Sequence, residues 1–97
     1  MNIQLYKLVS GEELIAEKVS DSIDDGVTLK NATTLIYQQT ERGVSTGFAP
    51  FMPHSEGNVV VRYSSISAVA TPNKQLVDQF TRVHSNIVIA PASSLDR

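Results

Sequence analysis

A chain of 97 residues has the length of one domain and no room for two separate cores. Eight Lys and Arg against ten Asp and Glu give a formal net charge of −2, and the bases are scattered singly, without the stripe of a dedicated nucleic-acid binder. There is no cysteine, which excludes disulfides, thiolate metal sites and cysteine nucleophiles.

Residues 3–9 alternate, with Ile3, Leu5, Lys7 and Val9 on one face and Gln4, Tyr6 and Leu8 on the other, the period of a strand. Ser10-Gly11-Glu12 reads as a turn and residues 13–20 as a second strand. Glu12, Glu13 and Glu17 interrupt these apolar positions, unlike a secretory or transit peptide. No stretch reaches the ~20 apolar residues of a membrane span, so a soluble, cytoplasmic protein is expected.

Residues 21–26 form a loop rich in Asp, in which Gly26 is expected to take a positive φ. Residues 27–37 suit a long strand, bulged near Asn31-Ala32. Glu41-Arg42-Gly43 turns the chain into a partner strand over 44–48, within a hairpin insertion around 38–57. Residues 49–57 carry Pro50 and Pro53 and cannot make a central strand, because proline has no ladder donor. Phe51 and Met52 are available there to cover an open core end. Residues 58–63 and 66–70 complete a β core over 1–70, split by Ser64-Ser65.

Thr71-Pro72 reads as a hydroxyl cap followed by proline at the first helical position, opening a helix over 72–84. Leu76, Val77, Phe80 and Val83 recur at helical spacing and predict its buried stripe. Residues 86–90 return to β character as a short strand stopped by Pro91, and 92–97 form a tail.

Two stretches resemble the Sm and Sm-like (LSm) family. Residues 5–16, continuing to Val27-Thr28-Leu29, are similar to its first motif: a hydrophobic strand, a polar-Gly turn at Gly11, a second strand, a loop and a third strand ending in leucine. Residues 61–69 are similar to its closing motif, in which a hydrophobic-Arg-Gly tripeptide leads into the last strand. The Phe-Ala-Pro-Phe-Met-Pro run at 48–53 resembles Sm-like proteins of bacteriophage type, and for a phage-encoded chain the compartment is the host cytoplasm. The resemblance implies a strongly bent five-stranded antiparallel, barrel-like sheet, here with the helix C-terminal. It also implies a cyclic homo-oligomer of more than two subunits with single-stranded RNA at the pore. Arg62 corresponds to the RNA-contacting arginine, while Gly26 and Tyr63 stand where RNA-binding relatives carry asparagine and glycine.

Arg62, Tyr63 and Gly26 are therefore the candidate RNA-binding residues: a guanidinium fork for phosphate or a base edge and a ring for stacking. Asp21, Asp24 and Asp25 suggest calcium by their oxygens but lack the ligand order of an EF-hand. His54 and Glu56 are too few for a structural zinc site. No glycine-elbow serine, phosphate loop or His-Glu-x-x-His motif is present; no catalysis, cofactor or metal is expected. The competing reading is a structural or protein-interaction oligomer that has lost RNA recognition, since the family's asparagine and glycine are missing and acids dominate.

Overall fold

The computed structural model describes residues 2–22 and 25–93, with side-chain surroundings given as far as His84, Ser22 aside. Six strands, β1 (Ile3–Leu8), β2 (Glu13–Ser22), β3 (Gly26–Thr40), β4 (Gly43–Pro50), β5 (Val59–Arg62) and β6 (Ile66–Ala70), precede one helix, α1 (Lys74–Ser93). A 3-10 turn, Tyr63–Ser65, links β5 to β6.

Local chemistry makes the hairpins. Between β1 and β2, Gly11 takes a φ of 103°, and backbone bonds run from Leu8 N–H to Glu12 O (2.8 Å) and from Gly11 N–H to Leu8 O (2.9 Å). Between β3 and β4, the Thr40 hydroxyl donates to the Gly43 carbonyl (2.7 Å) and accepts the Arg42 N–H (3.2 Å). Gly43 there has a φ of 117°, open to glycine at little steric cost.

The 15-residue β3 organises the sheet. One edge pairs with β2, and its register steps from Ile15↔Thr33 to Glu17↔Lys30. Asn31 and Ala32 thus oppose Ala16 alone, the expected bulge, with Asn31 at a φ of 59°. The other edge of β3 is shared: Gly26 to Leu29 pair with β5 and Thr33 to Thr40 with β4. Between them, Phe51 N–H donates to Ala32 O (3.0 Å).

The expected five-stranded barrel is not formed. Six strands lie in the order β4-β3-β2-β1-β6, with β5 added on β3. Among the described residues no ladder joins β6 back to β5 or β4, and the sheet is neither closed nor strongly curled. The physical reason lies in the sharing of β3. Its C-terminal half is spent on β4, which extends the sheet outward, while β5 has four residues and reaches β6 only through the 3-10 turn.

Period-two alternation splits the core between the two faces. Leu14 and Ala16 join Tyr6, Leu8, Val27, Leu29 and Val61, with Phe51 packed at the margin, while Met52 is half exposed. Ile15, on the opposite face, joins Leu35 and Phe80, supported by Leu5, Phe48 and Leu76. The helix covers this second face.

Three features of the helical region differ from the sequence expectation. The cap is Asn73, not Thr71: its Oδ1 accepts the Leu76 N–H (2.8 Å) and its carbonyl accepts the Val77 N–H (3.0 Å). Asparagine ranks above threonine at this position, and Pro72 lies before the cap, buried. The packed row is Leu76, Phe80 and His84: Phe80 is 2% exposed whereas Val83 is 39% exposed, and Val77 is half-buried. At 3.6 residues per turn His84 sits ~40° from Phe80 around the axis and Val83 ~60° on the other side. Finally, residues 86–90 continue α1 instead of forming a strand, because extending an existing helix avoids the nucleation cost of a new element. Of the expected tail, residues 92 and 93 belong to α1 and 94–97 lie outside the described residues.

Candidate functional site

Asp21, Asp25 and Gly26 meet the 3-10 turn at one rim of the sheet. Gly26 lies opposite Arg62 in the β3–β5 ladder, and the Tyr63 N–H donates to the Asp25 carbonyl (2.9 Å). The Tyr63 hydroxyl donates to the Asp21 carboxylate, which also pairs with Lys18 Nζ at 3.1 Å. The structure thus brings Gly26, Arg62 and Tyr63 together and adds Asp21, Asp25 and Lys18. No sequence motif joins Asp21 to Tyr63, which are 42 positions apart.

Gly26 plays a different part from the one expected. The positive φ of the loop belongs to Asp25 (67°), a residue type that visits the left-handed region more readily than most. Gly26 is needed for close approach: a Cβ there would lie 2.7 Å from the Val61 carbonyl oxygen and 3.2 Å from the Arg62 Cα. It is buried and offers a ligand no side chain. Arg62 is exposed at the strand end and makes no ion pair among the described residues. Asp24 lies outside the described residues.

The clasp between Tyr63 and Asp21 shifts both groups. The hydrogen bond to Asp21, then burial and the nearby carboxylates, push the Tyr63 hydroxyl up to about 12. The hydrogen bonds from Tyr63 and Lys18 hold Asp21 below the ordinary carboxylate range. Asp21 therefore favours folding fully above its unfolded value near ~4, and this is lost as pH falls through its lower folded value. The Tyr63 contribution is complete below an unfolded value near ~10 and is lost as pH rises through about 12. Thermal melts of Tyr63→Phe against the parent should differ between those limits and converge towards both extremes; a constant difference from acid to alkali would contradict the clasp.

Behind the rim is a cavity of about 230 Å³, to which Tyr6, Lys18, Asp21 and Tyr63 all contribute. Tyr6 is 3% exposed, and its hydroxyl has no hydrogen-bond partner among the described residues. Burial, then the Asp21 charge, raises its pKa. An unsatisfied buried hydroxyl costs ~1–3 kcal/mol. Tyr6→Phe should leave the stability unchanged or raise it by up to that amount, and a denaturation loss above ~1 kcal/mol would show that the hydroxyl is satisfied.

A second cavity, about 310 Å³, lies where the Asn31 bulge, the proline-rich loop and α1 meet. Thr33, 5% exposed, and His84 face each other there, with Oγ1 and Nε2 3.4 Å apart. His84 packs on the Phe80 ring with centroids 4.5 Å apart. Its place four residues after Phe80 was the available sequence signal for its inward row.

No three His, Asp or Glu side chains among the described residues are grouped to hold a metal ion, and no described helix is long and apolar enough to cross a membrane. No protein-family model matches this chain, and no curated protein matches it.

Proposed function

We propose that this chain is a structural, self-assembling subunit whose sheet edges join neighbouring copies, and that the rim around Arg62 does not recognise RNA. One observation carries the reading. Among the described residues β5 pairs only with β3 and β6 only with β1, and Val60 and Val69 on these two strands are 56% and 55% exposed. Open edges beside exposed apolar side chains are an aggregation liability unless another chain covers them. Joining the β5 edge of one copy to the β6 edge of the next is a head-to-tail contact, which either closes into a ring or grows into a filament. The likeness of residues 5–16 and 61–69 to the Sm family favours closure, with more than two subunits.

The rim itself argues against RNA. Lys18 and Arg62 stand beside Asp21 and Asp25, a local balance of charge where phosphate contacts need an excess of bases. The Tyr63 hydroxyl and backbone N–H are committed to Asp21 and Asp25.

Light scattering in physiological salt should give one species several times the 10.6 kDa chain mass. Val60→Lys, which places a charge beside the β5 edge, should reduce that mass. A concentration-independent monomer of the parent chain contradicts the assembly. Tight, salt-sensitive binding of labelled single-stranded RNA by an intact assembly contradicts the assignment of the rim and restores RNA recognition.

A further inference from the structure

We propose that the cavity between the Asn31 bulge, the proline-rich loop and α1 binds a small, uncharged, flat and mostly apolar molecule carrying one hydrogen-bond donor, of the indole type. Its volume of about 310 Å³ is at the lower end of small-molecule sites and suits one or two fused rings. Leu29, Phe48, Pro50 and Val59 supply apolar lining. Two of the lining rings are held in place, because Phe48 and His84 both pack on Phe80, with centroids 6.3 and 4.5 Å away.

The polar groups define what the cavity accepts. The Thr33 hydroxyl gives its proton to the Asn31 carbonyl (2.8 Å), and the Ser55 hydroxyl gives its own to the Met52 carbonyl (2.9 Å). Each retains only acceptor lone pairs. Since Thr33 has no proton left for His84, the 3.4 Å contact between them requires the imidazole to donate through Nε2, leaving Nδ1 as another acceptor. Burial lowers the His84 pKa, which keeps the ring neutral at pH 7. Asn31, the remaining polar side chain of the lining, is exposed, as is Ser55, so the inner polar pair of the cavity is Thr33 and His84. The cavity therefore asks for a donor. No Asp, Glu, Lys or Arg lines it among the described residues, so an ion entering would lose its hydration without a counter-charge.

The test is an amide NMR titration of the full chain with indole and, in parallel, with indene, the same fused rings without the N–H. Indole should shift Thr33, Ser55 and His84 saturably and bind about fivefold more tightly than indene, the worth of one hydrogen bond. His84→Phe keeps a ring against Phe80 and removes the Nδ1 acceptor, so it should reduce the preference for indole; Thr33→Val, which removes another acceptor, serves the same purpose if that variant does not fold. Absence of saturable shifts at these residues, or equal affinity for indole and indene, overturns the proposal.

Discussion

Phe80→Ala is expected to lower the stability by ~3–5 kcal/mol, the range for removing a large buried aromatic ring. The side chain is 2% exposed and is the helix's main anchor on the sheet face formed by Ile15 and Leu35. Its ring meets Phe48 edge-on at 6.3 Å, with the planes 68° apart, and stacks obliquely on His84 at 4.5 Å. Alanine would leave a void bounded by two rings and the sheet, and the sheet's hydrogen bonds restrain collapse into it. Val83→Ala is the matched comparison: with 39% of the residue exposed, its loss should stay below ~1 kcal/mol. Urea denaturation of both variants separates the two. Similar losses would show that Val83 shares the buried row and that the helix is rotated from its observed setting.

That comparison also shows which parts of the fold a sequence makes readable. Strands announced themselves through alternation at residues 3–9 and 13–20, and the bulge through the break at Asn31-Ala32 in a β-branched run, because these signals are local. The helical stripe was local too, but its width was not: Leu76, Val77, Phe80 and Val83 all satisfy a 3.6-residue period, and only the sheet's position decides that His84 joins the packed row while Val83 stays more exposed. Closure of the sheet failed as an expectation for a different reason. It depends on which strand takes the second edge of β3, and hydrophobic period is silent about partners. At the rim, Arg62, Tyr63 and Gly26 lie close together, and the bond from Tyr63 to Asp21 and the solitary Tyr6 hydroxyl arise from contacts between distant segments. Thr33 and His84 were hidden likewise, since a threonine in a strand and a histidine on a helix carry no signal of facing each other.

Gly26→Ala is expected to cost ~1–3 kcal/mol, the range for forcing an extra group into a packed site, although glycine-to-alanine changes in extended backbone are ordinarily mild. The added Cβ would sit 2.7 Å from the Val61 carbonyl oxygen, 3.1 Å from Val60 Cγ1 and 3.2 Å from the Arg62 Cα. Two of these three neighbours are backbone, so no side-chain rotation relieves the clash; β5 must move away from β3. The ladder they share has four residue pairs, from Gly26↔Arg62 to Leu29↔Val59, and a shift at its first pair strains the rest. Val61, 7% exposed in the first core cluster, would move with the strand, and so would the Tyr63 N–H bonded to Asp25. Gly47→Ala tests the same substitution where there is room: its Cβ meets only the Ile36 carbonyl, at 3.8 Å. There the restricted unfolded chain should make the change neutral or stabilising by ~0.4–1 kcal/mol. Amide exchange should locate the damage in Gly26→Ala at β5 and the 3-10 turn while β1, β2 and β4 stay protected. A Gly26→Ala chain as stable as Gly47→Ala, with β5 fully protected, would mean that β3 and β5 do not approach each other this closely.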